Sequence, residues 1–281
     1  MRQKLRDRPK GAGNLDSSEK SQTKRQATDQ DIANIGTGST VFIEVNGTLK
    51  YENDRVVDDQ NIATGSGFFV TPNRIATNYI ATNYHVISPQ YQYHTRDDGK
   101  TDRVFGRPLR GTVRLVGTDR KYAIVGYTAI DADRDLAILK VRTFGMDPLI
   151  LGDSGPDAVK QGVSVYPIGN PLGLVNVVSD GKISSVQWVE TIRGFLSNRS
   201  RLVRDVQHNE TPHKLLMMTA PISQGNSGGP VLNNKGEVIG VSVGSKVGGQ
   251  NLNYAVPVND LKVLLRRVGP SKPLSDLEII Y

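Results

Sequence analysis

The apolar residues of this 281-residue chain come in short runs, and that limits its fold more than any other feature. Val41-Phe42-Ile43-Glu44-Val45, Leu136 to Val141, Val163 to Tyr166, Val175 to Val178 and Val238 to Val243 are four to six residues long and rich in β-branched side chains. Runs of that length suit strands, not helices, which need ten or more periodic residues. Turn-forming residues separate them, drawn from 29 glycines and 14 prolines. The pattern predicts an all-β molecule. One segment departs from it: Val258 to Val268 places Leu261, Leu264 and Leu265 on one helical face. Asn259-Asp260 offers an N-cap, Arg266-Arg267 suit the C-terminal dipole, and Gly269-Pro270 stop the helix.

The stretch Gly225-Asn226-Ser227-Gly228-Gly229-Pro230 carries the chemistry. Glycines on both sides of a serine permit tight turns and positive φ. Such a turn can hold the Ser227 hydroxyl outward and aim the amides of Gly225 and Ser227 at one point, as in an oxyanion hole. A serine needs a base to take its proton. Among His85, His94, His208 and His213, only His85 has a strand-like setting, Ile80 to Ile87; the others read as solvated loop residues. The base needs a carboxylate to orient it. Asp135 directly precedes the apolar run Leu136 to Val141 and can be desolvated there; Asp131 and Asp133 are alternatives further out in the turn.

His85, Asp135 and Ser227 follow the chymotrypsin order. The chain resembles a trypsin-like serine protease of the HtrA (Deg) type. The resemblance is carried by Gly65-Ser66-Gly67-Phe68, Thr82 to Val86, Asp135 to Lys140, Leu151-Gly152-Asp153-Ser154, Ile168-Gly169-Asn170-Pro171-Leu172-Gly173, Gly181-Lys182-Ile183-Ser184, Gly225 to Pro230 and Tyr254-Ala255-Val256-Pro257, in the family's order. It implies two six-stranded antiparallel β-barrels of the chymotrypsin type and a short C-terminal helix, with the cleft between the barrels. His85 and Asp135 would come from the first barrel, Ser227 from the second. The implied boundaries are a disordered basic tail over 1–35 and a protease domain over 36–268. Within that domain barrel one spans about 36–147, barrel two about 157–257 and the helix 258–268; a C-terminal tail follows over 269–281. Those last residues leave no room for the PDZ domain that many HtrA-type enzymes carry.

The activity implied is hydrolysis of peptide bonds in unfolded or misfolded polypeptides through an acyl-enzyme on Ser227, without metal or cofactor. A catalytically inactive, peptide-binding or chaperone-like relative is the alternative. In the trypsin-like fold the floor of the specificity pocket lies six residues before the nucleophile, here Pro221, followed by Ile222; Ser242, Val243 and Gly244 form the opposite wall. These positions hold no carboxylate for a buried Lys or Arg, which predicts small or medium apolar residues at the cleavage site. The resemblance also implies a homo-oligomer, a trimer in the family, and a periplasmic or secreted location, although no signal peptide is visible.

Net charge is +7, and residues 1–30 supply eight Lys/Arg against four Asp/Glu. The tail's charges are mixed and it has no aromatic residue for stacking, so it reads as a solvated linker and no nucleic-acid partner is expected. No apolar run is long enough to span a membrane. Cysteine is absent, so disulfides play no part. Tyr51 to Asn61 reads as a charged loop, and Ser88 to Pro108 as a long polar loop with its tip at Asp97 to Lys100. Asp97, Asp98 and Asp102 lack the alternating oxygen ligands of a calcium loop. Val113 to Val116 and Tyr122 to Val125 flank a hairpin turn. Trp188 to Met218 reads as a basic, turn-rich insertion.

Ile75-Ala76-Thr77-Asn78-Tyr79 is repeated at once as Ile80-Ala81-Thr82-Asn83-Tyr84. Five is odd, so threading the extra copy into a continuous strand would swap the face of every residue beyond it. The second copy is therefore expected to keep the strand leading to His85. The first, with Thr71 to Arg74, is expected to be extruded as a turn or bulge.

Overall fold

The computed structural model describes residues 27–73, 78–95, 99–115, 118, 120–143, 146–171, 174, 176–189, 212–245 and 252–278. Two antiparallel sheets of seven strands make up most of it. In the first, β1 (Thr40–Tyr51), β2 (Val56–Val70), β3 (Tyr79–Thr82), β7 (Leu136–Val141), β6 (Lys121–Asp131) and β5 (Thr101–Leu115) are neighbours in that order. The pairing of β1 with β5 closes them into a six-stranded barrel, and β4 (Gln90–Thr95) hangs on β5. In the second, β10 (Gly181–Trp188), β11 (Lys214–Met218), β14 (Asn253–Pro257), β13 (Val238–Ser245), β12 (Pro230–Leu232) and β8 (Ser164–Gly169) follow one another, and β9 (Val177–Val178) is added to β8. The ends of this second ring meet through Gly181↔Val165 and Lys182↔Ser164, and beside them the Ile183 amide donates to the Val163 carbonyl at 2.8 Å.

Three buried clusters explain why so many strands are apolar on both faces. In β7, Ala137, Leu139 and Val141 fill the first barrel, with Val41, Ile43, Val45, Phe69 and Ile80. Leu136 and Ile138 of the same strand point the other way, into a seam shared with the second sheet. Phe68 and Ala81 reach that seam from the first sheet, Val241, Val243, Tyr254 and Val256 from the second. Val165, Ile183, Leu216, Ile239 and Ala255 fill the second ring. Alternate side chains of one strand thus serve two cores. Each fully buried Val, Leu, Ile or Phe contributes roughly 1.5–3 kcal/mol.

Two helices tie the seam together. The first, α1 (Asp29–Ser39), has a capping box: the Asp31 amide donates to Thr28 Oγ1 at 3.2 Å and the Thr28 amide donates to Asp31 Oδ2 at 2.9 Å. Its Ile32 is buried in the seam, and Gly36 lies so close to Ile168 and Leu232 that a Cβ would clash with both. The Tyr166 hydroxyl donates to Asp29 Oδ1 at 2.7 Å, and this bond pushes the phenol up to about 12. The disordered tail expected over 1–35 is therefore corrected from Asp29 onward, because the cap and the buried face override a polar composition. The C-terminal helix, α3 (Val258–Leu265), buries Leu261, Leu264 and Leu265 as the periodicity predicts. Its N-cap is Pro257, without a side-chain cap, rather than Asn259-Asp260.

Other expectations change as well. Tyr51 to Asn61 is no loop: β1 and β2 run on past the barrel and turn only at residues 52–55. Ser88 to Pro108 is largely the β4–β5 hairpin, while Asp97 and Asp98 lie outside the described residues. Within Trp188 to Met218, residues 190–211 lie outside the described residues, but Lys214–Met218 is β11, with Leu215, Leu216 and Met218 buried. The expected C-terminal tail is anchored too. Lys272 pairs with Tyr127, and a short 3₁₀ turn, Leu274–Asp276, drops Leu274 and Leu277 into the first barrel's core. No helix among the described residues is long and apolar enough to cross a membrane.

The duplicated pentapeptide is resolved by register. Ile80, Ala81 and Thr82 of the second copy form β3, opposite Phe69 and Phe68 on one side and Leu139, Ile138 and Ala137 on the other. The Val70↔Tyr79 pair is the last between β2 and β3, and residues 74–77 of the first copy lie outside the described residues. Asn78 and Tyr79 do add contacts, since the Val141 amide donates to the Asn78 carbonyl at 3.0 Å. Deleting Ile75 to Tyr79 should leave β3 in register, with the shorter loop offsetting the lost bond. The expected outcome is a shift in Tm below roughly 4 °C, equivalent to about 1 kcal/mol in a domain of this size. A deletion variant that folds but no longer reacts at Ser227 would place the wrong copy in the strand.

Candidate active site

His85 does not stand on a strand. Strand β3 ends at Thr82, and Tyr84–Ile87 form a single helical turn, α2. Asp135 closes the turn that enters β7, with its amide donating to the Ala132 carbonyl at 3.1 Å. Its φ is +53°, a left-handed value that aspartate tolerates better than most residues. Because β3 and β7 pair with Thr82 opposite Ala137, the chain just beyond one strand meets the chain just before the other. The Asp135 carbonyl accepts from the Tyr84 amide at 3.2 Å and from Asn83 Nδ2 at 2.9 Å. Its carboxylate accepts from the His85 amide at 2.8 Å and faces His85 Nδ1 at 2.6 Å.

Asp135 is only 2% exposed, so its charge depends on these donors. Nδ1 is thereby the protonated ring nitrogen, leaving Nε2 with the lone pair. Asp131, an alternative on sequence grounds, is instead held by Arg267 at 2.6 Å and Arg134 at 3.4 Å. Among the other histidines, His213 is buried, not solvated, and neighbours Asp260. Burial pushes the Asp260 carboxyl up, and the charges of Arg134 and His213 oppose that shift. His208 and the side chain of His94 lie outside the described residues.

Ser227 comes from the second sheet, in a turn before β12. Gly225 and Gly228 have φ of +102° and +86°, conformations that a side chain would resist. Gly228 also has no room for a Cβ, which would lie 3.0 Å from the Asn83 nitrogen. Its amide donates to the Ser242 carbonyl at 2.8 Å, fixing the turn to β13. The Ser227 hydroxyl makes one long bond, 3.4 Å, to the Val243 carbonyl. Among the described residues, the Gly225 and Ser227 amides donate to no protein acceptor.

The two halves converge on Gly65 of β2. A Cβ there would lie 2.7 Å from Val86 Cγ2 and 3.1 Å from the Ser227 carbonyl, so the segments bearing His85 and Ser227 flank one glycine. Of the pocket positions, Pro221 is exposed and its carbonyl accepts from Ser179 Oγ at 2.6 Å. Ile222 packs against the second ring's core. Ser242 and Val243 bury their side chains, the Ser242 amide and carbonyl bond to Gly229 and Gly228, and open space surrounds Gly244. Sequence reasoning assigned no role to Ser66, Thr82 or Asn170. All three are buried in this junction, and the only signal was their place in the quoted motifs.

A family model described as a trypsin-like peptidase domain matches residues 65–241, and the chain belongs to that family. Its curated relatives are of the HtrA type. It is 31% identical over 238 residues to bovine mitochondrial serine protease HTRA2, covering 84% of this chain and 42% of the relative. It is 30% identical over 201 residues to the putative serine protease HhoB of Synechocystis, covering 72% and 39%. The chain thus spans less than half the length of these relatives. Among solved structures, the active form of the Rv3671c protease of M. tuberculosis aligns with a TM-score of 0.60 at 21% identity, covering 86% of each chain. The HtrA-type protease AlgW with a tripeptide aligns at 0.57 and 19%, covering 84% of this chain and 61% of that one. The fold is therefore the trypsin-like one, with one fully closed barrel and a second sheet whose end strands meet over a short stretch.

The His85–Asp135 contact has a spectroscopic consequence. A proton held between Nδ1 and a buried carboxylate should resonate far downfield of ordinary imidazole protons. Asp135→Asn should abolish that signal while leaving the protein folded. Its survival would mean that another acceptor holds the histidine.

Proposed function

We propose that the chain is a serine endopeptidase with His85, Asp135 and Ser227 as its catalytic residues. The observation that carries this is the His85 Nδ1–Asp135 Oδ2 contact of 2.6 Å beside a serine turn whose Gly225 and Ser227 amides have no acceptor among the described residues. Asp135 holds the imidazole in the tautomer whose Nε2 can take the Ser227 proton. Ser227 Oγ, held among the described residues by one long bond to Val243, can give it up and attack the scissile carbonyl. The Gly225 and Ser227 amides then receive the developing oxyanion. His85 passes its proton to the leaving amine, and water repeats the sequence on the acyl-enzyme.

The substrates proposed are unfolded polypeptides, which can lie extended beside Val243 and Gly244 of β13, beyond its last pair with β12. Association into trimers is proposed on the family resemblance, and sedimentation velocity measures it. Labelling by a fluorophosphonate probe tests nucleophile and oxyanion hole together. Ser227→Ala and His85→Ala should abolish casein cleavage in folded protein, and Asp135→Asn should lower kcat by ~10⁴, the loss known in the type case. Undiminished peptide hydrolysis by the Ser227→Ala variant would refute the assignment.

Pro221, Ile222 and Gly244 supply no carboxylate to the neighbourhood of Ser227, so a buried Lys or Arg would lack a partner. A peptide library should therefore show cleavage after small or medium apolar residues. A profile dominated by Lys or Arg would show that the pocket is built from other positions.

A further inference from the structure

We propose that Ser66 is a positioning residue of the active site: from the first barrel, it holds the Gly225 carbonyl and so keeps the oxyanion loop of the second in working shape. The inference rests on the serine-peptidase reading above.

Ser66 is fully buried at the junction. Its hydroxyl donates to the Gly225 carbonyl at 2.7 Å. It also accepts from the Asn170 amide at 2.9 Å and from Asn170 Nδ2 at 3.2 Å. A serine hydroxyl has one proton and two lone pairs. With both lone pairs facing N–H groups that cannot accept, the proton has one destination, the Gly225 carbonyl. Asn170 is itself fixed, because Nδ2 also donates to the Val41 carbonyl at 3.1 Å and Oδ1 accepts from the Asn176 amide at 3.1 Å. These contacts settle which end of its amide is nitrogen.

The main chain of Ser66 holds the same loop at a second point. Its amide donates to the Ser227 carbonyl at 2.8 Å, and its carbonyl accepts from Thr82 Oγ1 at 2.7 Å. The Asn226 amide donates to the Ser223 carbonyl at 3.0 Å. The peptide between Gly225 and Asn226 is thus pinned at both ends, by Ser66 and by Ser223. The next peptide, which bears the Ser227 amide, lies between two anchored units. Gly225 has no Cβ and sits at φ +102°, so its own backbone preference does little to hold this shape. Without the Ser66 hydroxyl, a buried carbonyl and two Asn170 N–H groups lose their partner. Rotation at Gly225 is then the easiest way for the carbonyl to find water.

Ser66→Ala should lower kcat on a peptide substrate by roughly 10- to 100-fold, part of the 10²–10³ lost when an oxyanion donor is removed outright. KM should stay within about threefold, since ground-state binding does not use the hole. Ser66→Thr, which keeps the hydroxyl, should recover much of the loss. Asn170→Asp puts an isosteric acceptor beside Ser66, draws its proton away from Gly225 and should lower kcat in the same way; it serves as the variant if Ser66→Ala does not fold. Hydrogen exchange is read in parallel, with and without Ser227→Ala. Exchange at residues 223–230 should quicken in Ser66→Ala while the barrel strands stay unchanged. Unchanged exchange there, or an unchanged kcat in folded variants of an active protein, overturns the proposal. A wild-type protein that neither labels nor hydrolyses refutes the peptidase reading instead, and exchange alone then decides the role of Ser66.

Discussion

The apolar seam between the two sheets is the constraint on which the rest depends. Leu136, Ile138, Phe68 and Ala81 reach it from one side, Val241, Val243, Tyr254 and Val256 from the other. Ile32 of α1 and Leu261, Leu264 and Leu265 of α3 extend it at its borders. None of these side chains is satisfied within its own ring. Burying them brings the rings together and brings the loops at the strand ends to one place. The polar chemistry occupies the margin of a surface that hydrophobic burial assembles.

At that margin, buried polar groups are matched almost one to one. The Asp135 carboxylate has the His85 amide and imidazole, and its carbonyl has Asn83 and Tyr84. Ser66 connects Gly225, Ser227, Thr82 and Asn170. A junction so connected is all-or-none: loss of one member leaves the others buried and unpaired. Among the described residues the exceptions are the Gly225 and Ser227 amides and three buried side-chain oxygens, Asn83 Oδ1, Asn226 Oδ1 and Ser242 Oγ.

Several local readings failed for one shared reason. Residues 29–35 and 51–61 are polar, yet they become a capped helix and the outer part of a long hairpin, because a partner strand or a single buried Ile32 decides the outcome. His213 looks solvated beside Pro212 and Lys214, but it is buried just before β11, where its carbonyl accepts from the Val189 amide. Leu274 and Leu277 sit in a stretch with no strand or helix period, and the first barrel's open end takes them in. Propensity and composition describe a segment alone, whereas burial belongs to what it meets.

Local chemistry was legible from the residues themselves. Short β-branched runs require strands, glycines around Ser227 permit positive φ, and an odd-numbered repeat cannot lie in one continuous strand. The C-terminal helix followed from its period, and the order of His85, Asp135 and Ser227 marked the family. What no single segment contains is the meeting of distant ones. That Asp135 rather than Asp131 faces His85, that Ser66 answers Gly225 across the barrel junction, and that Val243 offers its backbone while its side chain joins the seam all depend on pairings far apart in the chain. Those pairings are set when the two rings close and dock, because only then do the buried donors and acceptors acquire their partners.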